Sequence, residues 1–372
     1  MSVSLRDVAR AAKVSVGTVS NVLNRPEVVA PETLARVQAT IKELGFVPNG
    51  FARHLRSGQS RTLGLIVPDV ANPFFTEVAR GVEDAASKRD YAVFLCNSDE
   101  SATKEDRYVN VLIQQQVRGV LITPADMKSD RLETMRERGI AVTLLDREIK
   151  GRKQCSVSVD DVHGGQLAIE YLSGLGHTNI AWVCGPNTIP QAADRSRGVT
   201  AAAKSLKANV TQVSTHGMTF AAGEEVVAQI LALSPRPTAI FCGNDLLALG
   251  VMRGLMASGV RIPDDISVIG YDDIEFAPSA AVPLTSIAQP AYQLGFTATK
   301  LLLSECEGEE NHAHQDVRFQ PELIVRSSTR DLTDDRARAV VRREYDHIAT
   351  SYFDSKNSKS KRALQTNSQL SD

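Results

Sequence analysis

The sequence predicts a small all-α head followed by an α/β core of two doubly wound parallel-sheet lobes. Three observations carry this reading. The first 46 residues hold three short stretches with apolar side chains at helical spacing. From Thr62 onward, short β-rich runs alternate with amphipathic stretches, the pattern of parallel strands joined by covering helices. The alternation restarts after about residue 155, which gives two rounds and hence two lobes.

In the head, Leu5, Val8, Ala9 and Ala12 share one face of a first helix by the i, i+3, i+4 rule. The next stretch, "VSVGTVSNVLN" at 14–24, alternates like a strand, but a lone strand there has no partner. With Ser15 as N-cap, a second helix opens at Val16 and turns Val19, Val22 and Leu23 inward. A third helix takes Pro31 in its first position, buries Leu34, Val37, Ile41 and Leu44, and stops at Gly45. Residues 1–46 thus read as a helix-turn-helix domain. Val16, Gly17 and Asn21 then face outward at the start of the second helix, where such motifs read base edges in the major groove. Ser15, Thr18 and Asn24 suit hydrogen bonds to phosphates, which position without reading sequence. The following connector, 47–60, reads "VPNGFARHLRSGQS", of which Asn49 to Arg56 make only about two helical turns, unstable alone in water and expected to fold on binding. An apolar Leu55 in that polar setting is odd unless it is inserted somewhere.

In the core, "TLGLIV", "YAVFLC", "VRGVLIT" and "IAVTLLDR" form the first round, and "SVSVD", "IAWVC", "VTQVSTH", "TAIFC" and "SVIGYD" the second. The helix near 291–306 and the strand "ELIVRSS" cross back, so each lobe is discontinuous: about 61–160 with 291–318, and about 161–290 with 319–330. In such sheets ligands bind outside the carboxyl ends of the strands. Asp69 and Asn72, Asp146 and Arg147, Asn244 and Asp245, Asp272 and Asp273, and Gln289 all stand at such ends. Each Asp or Asn is also a good N-cap for the next helix, so Asp130, Asp161 and Asn244 carry both readings. Arg147, Arg195 and Arg197 are bidentate donors beside carboxylates. Phe74, Phe75 and Phe220 stand out where aromatics are only 5% of the chain, although core packing accounts for a phenylalanine equally well. An apolar face flanked by Asp, Asn and Arg suits a sugar, with C–H faces on rings and hydroxyls in paired hydrogen bonds.

Charge adds a modest hint. The chain of 372 residues carries a net −2, yet residues 1–60 hold eight Lys/Arg against four acids, leaving 34 basic and 40 acidic residues in the remainder. A basic head on an acidic body favours an anionic partner for the head. The N-terminus has no apolar run after its charges, and no apolar stretch approaches the roughly 18 residues that span a bilayer, so a cytoplasmic protein is expected. Five scattered cysteines, Cys96, Cys155, Cys184, Cys242 and Cys306, form no CxxC and read as reduced core residues rather than disulfide or metal ligands. His312 and His314 lie in an acidic loop and read as solvated.

"LRDVARAAKVSVGTVSNVLN", "FARHLRSGQS", "GLIVPDVANPFF", "VIGYDD" and "PLTSIAQP", in that order, resemble the lactose/galactose repressor (LacI/GalR) family of bacterial transcription regulators from about residue 5 to 330. The resemblance implies a homodimer on a pseudo-palindromic operator and a core like that of periplasmic sugar-binding proteins. It also implies a hinge helix in the minor groove, with Arg53 among the DNA contacts and Leu55 wedged between base pairs. It implies an effector pocket like that of ribose-binding proteins, formed by Asn72, Phe74, Phe75, Asp146, Arg147, Arg197, Phe220, Asn244, Asp272 and Gln289. Ribose or a related pentose is the first expectation, with another sugar, a nucleoside or a sugar phosphate left open; no cofactor and no metal are expected. One departure is the tail: about forty residues follow "VRSST". Of 331–372, the run "DDRARAVVRREYDHIATSYF" reads as a loose or assembly helix, and the end reads as disordered.

Two rival classes fit less well. A transport component needs a secretion signal and has no use for a basic three-helix head. An enzyme needs an activated nucleophile, a phosphate-cradling loop or a metal cluster, and only Asp146 and Asp272 offer acid–base chemistry.

Overall fold

The structure, a computed structural model, describes residues 3–46, 60–126, 130–147, 153–308 and 312–333. Arg53 and Leu55, and the tail beyond residue 333, lie outside the described residues.

Residues 1–60 form one unit and residues 61–372 another. Among its described residues the first contains three α-helices, α1 (Leu5–Ala11), α2 (Val16–Asn24) and α3 (Pro31–Glu43), with a 3-10 turn at Pro26–Val28. Ser4 and Asp7 close a reciprocal capping box on α1. Lys13 then turns the chain with φ 55°. Ser15 opens α2 by accepting the Thr18 amide at 3.0 Å. Val8, Ala9, Ala12, Val19, Val22, Val37 and Phe46 form the core, with Val14, Leu23, Leu34, Ile41 and Leu44 packed against it. The strand-like "VSVGTVSNVLN" is a turn and a helix.

The second unit begins with β1 (Thr62–Val67), α4 (Pro73–Ser87), β2 (Ala92–Asn97), α5 (Ala102–Gln114), β3 (Gly119–Ile122), α6 (Arg131–Glu137), β4 (Ala141–Leu145) and β5 (Cys155–Val159). It continues with α7 (Asp161–Gly174), β6 (Asn179–Cys184), α8 (Pro190–Leu206), β7 (Asn209–Ser214), α9 (Phe220–Glu225), α10 (Val227–Leu231), β8 (Ala239–Cys242) and α11 (Asp245–Ala257). It ends with β9 (Ser267–Asp272), β10 (Thr285–Ala288), α12 (Ala291–Cys306), β11 (Asp316–Phe319) and β12 (Glu322–Ile324).

Two six-stranded sheets result, in the orders β11-β5-β4-β3-β1-β2 and β12-β10-β9-β8-β6-β7. All neighbours are parallel except β12, which runs antiparallel to β10. Period-two alternation sends Leu63, Leu65 and Val67 of β1 towards α4 and α12, and Ile66 towards α5 and α6. In the second sheet Ile240 and Cys242 pack towards α9–α11, while Ala239 and Phe241 pack towards α7 and α8. Both faces of each sheet are therefore covered, which is why the strands read as continuous apolar runs.

The chain crosses between lobes three times: at Asp160 after β5, at Gln289 and Pro290 after β10, and at Gln320 and Pro321 after β11. Asp160 pins the first crossing by accepting the His163 amide at 3.0 Å and Arg318 at 3.3 Å. Glycines set how closely α7 and α8 meet. A Cβ at Gly165 would stand 2.3 Å from the Arg195 carbonyl oxygen, and one at Gly198 would stand 2.0 Å from that of Val162. Only hydrogen fits at either point, and this contact fixes the height of Arg195 over the sheet.

Candidate functional site

A cavity of about 500 Å³ opens where the strands of both lobes end. From the first lobe come Asp69, Asn72, Phe74 and Phe75 after β1, Asp99 and Glu100 after β2, and Asp146 and Arg147 after β4. From the second come Gln191 and Arg195 on α8, residues 216–219 after β7, Asn244 after β8, Asp272 after β9 and Gln289 after β10. Side chains bridge the lobes directly. Gln191 donates to the Asp146 carboxylate and, at 3.0 Å, to its backbone carbonyl. The Asn72 amide points at Asp272, 3.5 Å away.

Capping and lining the cavity turn out to be compatible. Asn72 caps α4 by accepting the Phe74 amide at 3.0 Å while its own amide faces Asp272. Asn244 caps α11 by accepting the Leu247 amide at 2.9 Å and donates to the Met218 carbonyl. Asp272 accepts the Gln289 amide at 2.7 Å. Asp146 and Asp272 both hold positive φ, 52° and 104°, a conformation that few residues other than glycine, Asn and Asp adopt and that clusters at functional sites. The Phe74 and Phe75 rings meet edge to face, 5.0 Å apart.

Arg195 anchors the floor. Its Nε donates to Asp161 at 2.7 Å and its Nη1 to the Gly243 carbonyl at 2.5 Å; Nη2 lies 3.7 Å from Asp272. Burial works against this cation, but Asp161, Tyr271 and Asp272 outweigh it and hold the guanidinium more firmly protonated than usual. The carboxyls respond in the opposite sense. Burial, reinforced by the neighbouring Asp161 charge, pushes Asp146 up to about 7. Burial likewise pushes Asp272 up to about 6, against the pull of Arg195. Burial also pushes Arg147 down, and that side chain is held by the Pro124 and Asp146 carbonyls. Three buried acceptor atoms in this cavity have no hydrogen-bond partner: Asp146 Oδ1, Gln191 Oε1 and Gln289 Oε1.

Two expected pocket residues do not line the cavity. Arg197 is exposed and pairs with Asp194 at 2.7 Å. Two residues from Arg195 on a helix, it points roughly 200° away from the cleft. Phe220 is displaced by a cap: Thr219 accepts the Ala222 amide, so the chain turns into α9 before Phe220, whose ring lies 5.9 Å from Arg253. Residues 216–219 line the cavity in its place. The cap of α7 is Asp160 rather than Asp161, which is buried in the pair with Arg195.

In the head, α2 presents Val16, Gly17 and Asn21 to solvent on one side and Val19 and Val22 to the core on the other. The Ser15 and Thr18 hydroxyls hydrogen-bond each other at 2.9 Å, and the Asn24 amide donates to the Ser20 carbonyl at 2.8 Å. Gly17 meets nothing in the chain that demands its size, since a Cβ there would come no closer than 3.5 Å to another heavy atom.

Comparison with known proteins matches residues 4–49 to the bacterial regulatory proteins of the lacI family and residues 169–329 to a periplasmic binding protein-like domain. The HTH-type transcriptional repressor PurR of Aliivibrio fischeri is 35% identical over 331 residues, covering 87% of this chain and 98% of that protein. The chain belongs to the lacI family of bacterial regulatory proteins. A LacI family transcriptional regulator from Enterococcus faecium with bound ribose is 32% identical, with a TM-score of 0.68 over 73% of this chain and all of that one. The lac repressor dimer bound to operator and the anti-inducer ONPF is 27% identical, with a TM-score of 0.77 over 89% of this chain and all of that one.

As a LacI-family member the chain is a DNA-binding transcriptional repressor with a small-molecule site, and not an enzyme. The pocket expected from sequence leaves out Gln191, Asp99, Glu100, Met218 and Arg195, all of which line the cavity. A signal for Arg195 existed. Ala192, Arg195, Val199 and Ala202 are all buried on α8, so Arg195 is a charge set inside an apolar stripe.

Proposed function

We propose that this LacI-family protein binds a pseudo-palindromic operator as a homodimer, with operator affinity controlled by ribose or a related pentose in the interlobe cleft. The three unpartnered buried acceptors carry the choice of ligand class. A ring bearing several hydroxyls supplies donors to Asp146, Gln191 and Gln289 at once, and leaving such atoms unpaired costs about 1–3 kcal/mol each. Charge argues for a neutral ligand. Among the described residues Asp69, Asp99, Glu100, Asp146 and Asp272 line the cavity with two arginines, Arg147 and Arg195. Asp146, Asp161 and Asp272 already engage both of them, so a sugar phosphate would meet repulsion. The ribose-bound relative supports the same class.

On the DNA side, Val16, Gly17 and Asn21 read bases, while Ser15, Thr18 and Asn24 hold phosphates. Among the described residues no contact requires Gly17, and its small size suits close approach of the helix backbone to a base edge. Arg53 and Leu55 are assigned to the minor groove from the family resemblance. Phe94 and Leu95 on the edge strand β2, with Val111 on α5, are 46, 51 and 42% exposed and give the dimer an apolar face. Cleft closure on the sugar shifts operator affinity by roughly 5–150-fold, the range of coupling energies of about 1–3 kcal/mol. The reading places the protein in the cytoplasm; among the described residues no helix is long and apolar enough to cross a membrane.

A thermal-shift screen of the full chain against pentoses, hexoses, nucleosides and their phosphates tests the ligand. A compound at 100 times its Kd adds roughly 2.7 kcal/mol of stability. Ribose is expected to raise Tm and change operator binding by fluorescence anisotropy. A shift with hexoses or phosphates alone removes the pentose assignment.

A further inference from the structure

At the amino ends of β5 and β11, away from the cleft, four chemistry-bearing side chains converge. Parallel pairing aligns Asp316 with Ser156, so the residues just before β11 lie beside Cys155, the first residue of β5. The Ser156 amide donates to the Gln315 carbonyl at 2.9 Å, which fixes that register. His314 and His312 are thereby brought to the Cys155 sulfur, with Nδ1 of His314 at 3.9 Å and Nε2 of His312 at 3.8 Å. The last turn of α12 adds Glu305, whose Oε2 is 3.8 Å from each of those two nitrogens.

The expectation of solvated histidines does not hold here, since His312 and His314 have side chains only 12% and 27% exposed, while Cys155 is a free, fully buried cysteine as expected. We infer that Cys155, His312, His314 and Glu305 form a binding site for a divalent transition metal, Zn²⁺ by ligand chemistry.

The spacing fits. With zinc–sulfur near 2.3 Å and zinc–nitrogen near 2.05 Å, tetrahedral edges are about 3.6 Å for S···N and about 3.3 Å for N···O, so the four gaps close by about 0.2–0.5 Å each, and the ligand atoms of Cys155, His312 and His314 all lie within 4.8 Å of one another. The charges fit as well, since a thiolate and a carboxylate neutralise a dication in a half-buried setting. Outer contacts of the kind that orient metal ligands are in place. The other ring nitrogen of His312, Nδ1, is 3.0 Å from the Ser304 hydroxyl, and the Gln315 amide donates to the Cys155 sulfur at 3.5 Å. Glu305 Oε2 is buried with no hydrogen-bond partner. Binding displaces the Cys155 thiol proton to solvent, so affinity rises with pH. The metal fastens the end of α12 to the amino ends of β5 and β11 at the edge of the first sheet.

The test uses the full chain, stripped with chelator under a non-thiol reductant and titrated with Co²⁺ and then Zn²⁺. One Co²⁺ per chain with thiolate-to-cobalt charge-transfer absorption in the near ultraviolet, displaced by Zn²⁺, is the expected result. Cys155→Ser is expected to lose that absorption, and Cys306→Ser to keep it. Ser304→Ala, which leaves all four ligands, is expected to weaken Zn²⁺ roughly 10-fold. Should Cys155→Ser fail to fold by circular dichroism, His314→Asn takes its place and is expected to lose the single-site stoichiometry. A wild-type chain without the thiolate band, or a folded Cys155→Ser or His314→Asn variant that retains the wild-type site, overturns the proposal. Unchanged cobalt spectra and affinity in Glu305→Gln remove Glu305 as fourth ligand.

Discussion

Arg195 lies flat on Tyr271, its guanidinium carbon 3.6 Å from the ring centroid. The ring is itself fully buried, in a row with Phe241 and Trp182. A cation on an aromatic face is stabilised without losing its in-plane donors, so Arg195 keeps its fork for Asp161 and the Gly243 carbonyl. The hydrophobic core of the second lobe thus serves as the mount for the cleft's cation.

Replacing that fork is the sharpest test of the register of α8. Arg195→Lys retains the charge but not the planar geometry, and effector affinity is expected to fall at least about 10-fold, the equivalent of one charged hydrogen bond. Arg197→Ala, on the outer face, is expected to leave the affinity unchanged. Titration calorimetry on the two variants separates the positions, and equal losses would contradict the geometry.

Effector binding is expected to depend on pH through Asp272 and Asp146, raised to about 6 and about 7. Sugar hydroxyls donate best to carboxylates, so affinity should increase as pH rises through 6 to 7, with protons released on binding. Calorimetry in buffers of differing ionisation enthalpy measures the release. In the ligand-free chain the sign reverses for stability. Folded carboxyls with raised pKa hold protons that the unfolded chain has already lost, so their contribution declines as pH climbs from about 4 towards 7. Asp146→Asn should flatten its share of that decline in urea unfolding.

His177 gives the opposite slope. Burial pushes it down to about 4, with Nδ1 2.9 Å from the Thr238 hydroxyl and Nε2 3.0 Å from the Arg330 carbonyl. A lowered histidine stabilises fully above its unfolded value near 6.5, and the contribution is lost as pH falls towards 4, by up to about 3 kcal/mol. His177→Gln should remove this component of acid sensitivity while lowering stability at neutral pH. Urea midpoints at pH 7 and pH 5 for both proteins measure it.

Of the two exposed carboxamides on α2, Asn24 donates to the Ser20 carbonyl at 2.8 Å, which leaves Asn21 as the one proposed to read a base. Asn21→Ala should relax preference at one operator position by about 1–3 kcal/mol and weaken binding to unrelated DNA much less. Selection on randomised operators shows whether one position or every position changes.

Much of this architecture is legible in the residues themselves. Period-two runs such as Leu63–Val67 and the stripe Val19–Val22 depend only on local spacing, and strand-end polar residues such as Asp146 and Asp272 follow from sheet topology. Arg195 separates from Arg197 only through the apolar stripe Ala192, Val199 and Ala202 on α8, whose phase the Gly198–Val162 contact holds. Phe220 was misplaced by a single cap at Thr219. Cys155 and His314 stand 159 positions apart, and only the β5–β11 register brings them together.

Gln289 is at once a cavity residue and part of a crossing between the lobes. Its carbonyl accepts the Ala291 amide at the start of α12 while its side chain holds Asp272. On the proposed function, a substitution at Gln289 is therefore expected to change a cavity contact at the very point where the chain passes from one lobe to the other, so ligand preference and basal operator affinity are expected to shift together.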